Sequence, residues 1–150
     1  MSDAPGRSGD KQVPLHEMAD LIVAVGRRLP PPTDPEFEPC TPLEISVMRF
    51  VHRHPGTSAG AASEAVRLPS SNFSRVLRGL EKRDLVERVV NERNARGVLL
   101  YPTEKARRNL RLLHEHWDRT LHGIIDDPGT VQVVSEALRR IEDALTAGKP

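Results

Sequence analysis

The stretch Leu68–Thr103, LPSSNFSRVLRGLEKRDLVERVVNERNARGVLLYPT, decides the fold of this chain. Phe73, Val76, Leu77 and Leu80 fall at i, i+3, i+4 and i+7, which predicts an amphipathic helix with one buried stripe. At about 100° per residue, Ser71, Arg75, Arg78 and Lys82 gather on the opposite side. A solvated face usually mixes signs, whereas this one carries only cations and small polar groups. Such a face suits the major groove of duplex DNA, with donors for guanine edges and for phosphates. Beyond the helix, Leu85–Val90 reads as a strand and Gly97–Tyr101 as its partner. The polar run Asn91–Arg96 between them has two asparagines that tolerate turn geometry. A hairpin directly after a groove-reading helix is a wing. Its tip offers Arg93 and Arg96 to a minor groove, whose negative potential attracts arginine.

Charge is distributed to match. The net charge of the chain is only +1, yet residues 67–111 hold twelve Lys/Arg against five Asp/Glu. The segments on either side are each net acidic, so one basic zone lies between two arms.

Upstream, Thr41-Pro42-Leu43-Glu44 has the form of a helix start. Thr41 is the N-cap, Pro42 takes the first helical position and Glu44 closes a capping box. Ile45, Met48 and Val51 are expected to be the buried side of that helix, and His54-Pro55-Gly56 its end. Ser58–Val66 follows as the first helix of a helix-turn-helix, and Arg67-Leu68-Pro69-Ser70 turns into the reader, with Leu68 and Ser70 both open as its cap. Near the C-terminus, Asp126-Asp127-Pro128-Gly129 reads as a turn and Thr130 as the cap of the last helix.

Three of these segments resemble the MarR/SlyA family of transcriptional regulators. They are Thr41–Glu44, the run Leu80-Glu81-Lys82-Arg83-Asp84-Leu85-Val86-Glu87-Arg88, and the wing Asn94-Ala95-Arg96-Gly97-Val98-Leu99. The motifs span about residues 41–113. The sequence departs from the family pattern at Asn94, where members usually have the Asp that braces the wing arginine. It departs again at Pro102-Thr103 in place of Leu-Thr, at Ala106 in place of Gly, and at Ala62 in place of Leu.

The expected architecture is mainly α with a small β-hairpin wing (α+β), a winged helix-turn-helix with terminal dimerisation helices. Residues 1–14 read as a disordered tail, 15–29 as a dimerisation helix and 30–40 as a stiff Pro-rich connector. Residues 41–103 read as the DNA-binding domain, 104–146 as further dimerisation helices and 147–150 as a tail. Leu15, Met18, Ile22, Val25 and Leu29, like Val131, Val134, Leu138, Ile141 and Leu145, repeat at steps of three and four. Ala106, Leu110, Leu113, Trp117, Leu121 and Ile124 form a longer stripe between them. Short helices with narrow apolar seams bury them against each other, against the head or against a second subunit. The small head and the family resemblance favour a homodimer.

As base-edge readers we expect Ser71, Asn72, Ser74 and Arg75. Arg78, Lys82 and Arg83 are expected on phosphates, and Arg93 and Arg96 in the minor groove. The partner is double-stranded DNA with an inverted repeat, and repression by promoter occupancy is the default role. The resemblance also implies release by a small, often aromatic, effector, for which Met48, His52, Leu113 and Trp117 are pocket candidates. Alternatives are a winged helix that binds an acidic protein, or a redox- or metal-sensing member of the same family. Cys40 sits near a helix start, but Glu36, Glu38 and Glu44 around it disfavour a thiolate. His52/His54 and His114/His116 are spaced i, i+2, which splits each pair across a helix, so no metal site and no cofactor is expected. No phosphate loop, nucleophile elbow or paired acid/base signature points to an enzyme. One cysteine, no apolar run of the ~18 residues a membrane span needs and no signal peptide lead us to expect a soluble, cytoplasmic, nucleoid-associated protein with no membrane partner.

Overall fold

The computed structural model describes residues 13–94 and 97–148. They form six helices and one small sheet, in the order α1 (Leu15–Arg28), α2 (Pro42–Arg53), β1 (Thr57–Ser58), α3 (Ala59–Ala65), α4 (Ser70–Lys82), β2 (Val86–Val90), β3 (Val98–Pro102), α5 (Glu104–Leu121) and α6 (Pro128–Thr146). The first 30 residues make a unit of their own, whose described part is essentially α1. None of the residues of α1 is buried, and Leu15 is 80% exposed. No helix among the described residues is long and apolar enough to cross a membrane.

The second unit is built around α4. Phe73, Leu77 and Leu80 of α4 are buried, with Val76 partly buried beside them, as their spacing predicts. They share a core with Val47, Met48 and Val51 of α2, Ala62 of α3, Leu85, Val86, Leu100 and Ala106. On α2 the buried stripe runs through Val47, Met48 and Val51, whereas Ile45 is 40% exposed. The expected inward position of Ile45 is therefore wrong. Stepping back from Val51 by three and four residues reaches Met48 and Val47, and the next turn brings in Glu44.

The sheet is antiparallel in the order β1-β3-β2. Its hairpin runs in register from Val86↔Pro102 to Val90↔Val98. β1 is absent from the sequence reading. It is two residues long, too short to show a period, and it forms because Thr57 and Ser58 pair with Leu100 and Leu99. Gly56 just before it has φ +81°, and a Cβ there would meet the Tyr101 hydroxyl at 2.9 Å. Glycine is required on both counts.

Two other helix ends use the left-handed region without glycine. After α3, Arg67 has φ 53°, its N–H donates to Glu64 O (3.0 Å), and Leu68 N–H donates to Ser63 O (3.0 Å). After α4, Asp84 has φ 57°, its N–H donates to Glu81 O (2.9 Å), and Leu85 N–H donates to Leu80 O (2.9 Å). Both patterns are Schellman motifs, which satisfy the last free helical carbonyls. The Ser63 hydroxyl adds a bond to Leu68 O (2.7 Å), and Leu80 and Leu85 are both buried at the second turn. These two turns fix how α4 enters and leaves the core.

The remaining caps correct two expectations. The N-cap of α4 is Pro69, which offers no side-chain acceptor, so neither Leu68 nor Ser70 caps it. The N-cap of α6 is Asp127, whose carboxylate accepts from Thr130 N–H (2.8 Å) and from the Thr130 hydroxyl (2.7 Å). Pro128 and Gly129 thus open that helix, because proline is suited to its first position.

The capping box of α2 is complete: Thr41 Oγ1 accepts from Glu44 N–H (3.3 Å) and Glu44 Oε2 accepts from Thr41 N–H (2.8 Å). The other oxygen of Glu44 pairs with Arg83, the residue that closes α4. Arg83 also donates to Pro39 O (2.9 Å) and stands 3.6 Å from Glu38. Lys105 bonds both Glu38 (3.1 Å) and Arg83 O (2.8 Å), and Asn109 exchanges two hydrogen bonds with the Glu38 backbone. This bracket ties the connector to α2, to the end of α4 and to the start of α5. Burial alone would raise the Glu44 pKa, but the Thr41 N–H and the Arg83 guanidinium outweigh it and hold the carboxyl below its ordinary value.

Two predictions follow from the turns and the bracket. Arg67→Gly should raise stability by about 0.5–1 kcal/mol, since glycine relieves the left-handed strain at some cost in unfolded-chain entropy. Arg67→Ala should bring no such gain, and urea unfolding of the two variants checks the difference. Because folding favours ionised Glu44, its contribution is full at neutral pH and is lost as pH falls through the depressed folded value. Glu44→Gln should therefore cost about 1–2 kcal/mol at neutral pH. The gap to wild type should close as pH falls below the ordinary carboxylate range, measured by the same unfolding titration.

Candidate nucleic-acid interface

The burial of Phe73, Leu77 and Leu80 forces the other side of α4 into solvent. Ser71, Asn72, Ser74, Arg75, Arg78 and Lys82 are all exposed along it. The Nε of Arg78 donates back to Ser74 O (3.3 Å), which leaves the rest of its guanidinium outward. Arg75 and Lys82 form no ion pair among the described residues. Glu81 is the only acid in the helix, and it is paired with Arg88 of β2. The exposed face is thus a run of hydroxyls, one amide and cations whose charge is not cancelled locally. Such a surface can hydrogen-bond base edges and attract phosphates.

Arg83 stands apart from this face. Its guanidinium is engaged by Glu44, Glu38 and Pro39 O, a bracing role that the sequence did not suggest. Sequence spacing could not reveal this, since Pro39 lies 44 residues upstream and three helices separate it from Arg83. The acid–base complementarity of Glu38, Glu44 and Arg83 was the only available hint.

The wing is a built turn at its described end. Asn91 Oδ1 accepts from Arg93 N–H (3.1 Å), Asn94 N–H donates to Asn91 O (3.0 Å) and Gly97 N–H donates to Asn94 O (2.7 Å). Arg93 is exposed at this tip. Arg96, the other expected minor-groove residue, lies outside the described residues.

The four pocket candidates are placed unequally. Met48 belongs to the core, while His52, Leu113 and Trp117 are partly buried. Burial holds the His52 imidazole below its ordinary pKa, and the charges of Arg107 and His114 act in the same direction. Among the described residues, no group of three or more His, Cys, Asp or Glu side chains is placed to hold a metal ion. Cys40 is half-buried beside the bracket. Burial pushes its thiol pKa up, Arg83 opposes that, and Glu44 and Glu38 reinforce it. The largest influence is therefore burial, beyond the acidic neighbours visible in the sequence.

Residues 40–97 match the model of the MarR family. No curated protein matches the chain. Among solved structures, RV1404 from Mycobacterium tuberculosis aligns with a TM-score of 0.67 at 16% identity, covering 93% of this chain and 98% of that one. FabT of Streptococcus pneumoniae, solved in complex with DNA, aligns at 0.64 and 20% identity, over 90% of this chain and 94% of FabT. The PcaV transcriptional regulator of Streptomyces coelicolor, solved with its natural ligand, aligns at 0.58 and 20% identity, over 95% and 99%. At these identities the likeness establishes the fold, and the family match covers residues 40–97. Residues 40–97 are thus similar to the MarR family, within a chain that has the winged helix-turn-helix fold of the MarR and SlyA structures.

Proposed function

We propose that this protein is a transcriptional regulator that reads duplex DNA as a homodimer on an inverted repeat and represses by occupying its site. The observation that carries the reading is the outer face of α4, where exposed Ser71, Asn72, Ser74, Arg75, Arg78 and Lys82 sit together without an unpaired acid. Ser71, Asn72, Ser74 and Arg75, near the start of the helix, contact base edges. Arg78 and Lys82, further along, hold phosphates. Arg93 and Arg96 enter the adjoining minor groove. The DNA complex of FabT supports this reading, because a chain of the same fold engages DNA.

The dimer rests on the apolar faces of the arms. No residue of α1 or α6 is buried, and Leu15, Val133, Leu145 and Ile124 are all more than 60% exposed. A soluble chain that leaves so much apolar helix surface in water buries it on association. Small-molecule control completes the proposal, with Met48, His52, Leu113 and Trp117 beneath an effector. The ligand held by PcaV supports that element.

Analytical ultracentrifugation at micromolar concentration should show twice the chain mass. A monomer with intact helicity would remove the dimer and the inverted repeat together. Competition for a randomised duplex library at two salt concentrations tests the reader. Arg75→Ala should relax preference at one base pair per half-site, a loss of about 1–3 kcal/mol of discrimination. Lys82→Ala should weaken all duplexes alike and reduce the salt slope by about one. Selected half-sites should lie about one helical turn apart. Uniform losses for both variants, with no change in base preference, would leave a basic surface for an acidic partner as the better reading.

A further inference from the structure

Of the two wing strands, β2 has little core beneath its outer half. Val86 is buried, but Glu87, Arg88, Val89 and Val90 are all exposed. On the partner strand Leu100 and Pro102 are buried, whereas Val98 and Leu99 are only partly so. The hairpin is anchored at its base, where the Schellman turn brings Leu85 beside Leu80, and β3 is held further out by Val98 against the core and by the pairing of Leu99 with Ser58, whereas β2 has no buried residue beyond Val86. Five strand residues at about 3.4 Å each place the start of the tip roughly 17 Å from that anchor. An error of about 10° at the base would shift the tip by about 3 Å, the length of a hydrogen bond.

One polar side-chain link between α4 and the wing strands exists among the described residues. Arg88 Nε of β2 pairs with Glu81 Oε1 of α4, with the two side chains 37% and 26% exposed. It lies two residues beyond Val86, the one buried residue of β2. We propose that Glu81 and Arg88 form a clamp that sets the angle of the wing to the reading helix, which makes both of them positioning residues for DNA binding. The clamp rests on the DNA-reading proposal above. It also explains why an acid is present on a helix whose other charges are all positive.

Charge alone predicts the opposite. Glu81 is the only acid on α4, so removing it should strengthen attraction to phosphates. If the clamp operates, Glu81→Gln should instead weaken binding, although the protein becomes one charge more positive. The sign of the change separates the two accounts.

The test uses the full chain, a duplex selected from the random library, and the variants Glu81→Gln, Arg88→Met and their combination. Each single variant should bind the selected duplex about fivefold more weakly, and the double variant should be no worse than the poorer single. In the free protein, backbone ¹⁵N order parameters at Val90, Asn91 and Gly97 should fall in each variant, while those of Val76 and Leu77 hold. Tighter or unchanged binding by Glu81→Gln overturns the clamp, as does weaker binding with an unaltered wing. A wild type that selects no duplex overturns the DNA-reading proposal, and the relaxation data then decide the mechanical clamp by themselves.

Discussion

Everything on the functional side of this protein depends on one-sided burial of a thirteen-residue helix. Phe73, Leu77 and Leu80 enter a core made from α2, α3, Leu85 and Leu100, and each such side chain contributes about 1.5–3 kcal/mol by leaving water. Because that stripe is held inward, the rotation of the helix about its axis is fixed. Arg75, Arg78 and Lys82 then face solvent as a geometrical consequence. A slip of one residue would carry an arginine into the core and lose the exposed row together with the packing.

The helix is also fixed lengthwise, by unequal devices. Its start lacks a side-chain cap, and the preceding turn relies on Arg67 in the left-handed region with Ser63 bonded across it. Its end is held by the Schellman turn at Asp84, by Lys105 on the Arg83 carbonyl and by the pairing of Arg83 with Glu44. The free amides of the uncapped start face solvent, which is where a helix carries its positive end. The well-secured end faces the connector and α5. The helix is thus rooted at one end and open at the other.

How legible each part was depends on the range of the interaction that made it. The stripe on α4 and the capping box at Thr41 are local patterns, repeated within one or two turns, and the structure has both. Ile45 was misplaced because Ile45, Met48 and Val51 fit a three-residue step as well as Val47, Met48 and Val51 fit the true stripe. β1 could not be read, since two residues have no period and Thr57 becomes a strand only by meeting Leu100. At the last helix, Asp127 and Thr130 are both good caps, and only the carboxylate contacts decide between them. Arg83 looks like any other basic residue of the reader until Glu38 and Glu44 are brought to it by the fold. The exposed candidate face was legible because amphipathicity is local. The bracing of that face was not, because it joins residues far apart in the chain.

The strand order leaves β2 as an edge, with its outer hydrogen-bonding groups unpaired and Val89 and Val90 exposed beside them. An apolar strand edge of this kind is a template on which another chain can add, the first step of intermolecular sheet growth. Here the edge is only five residues long and carries Glu87 and Arg88 at its centre. Charges in the middle of a short edge oppose the in-register stacking of identical copies. The β2 edge can therefore remain uncovered without becoming the site at which the protein aggregates.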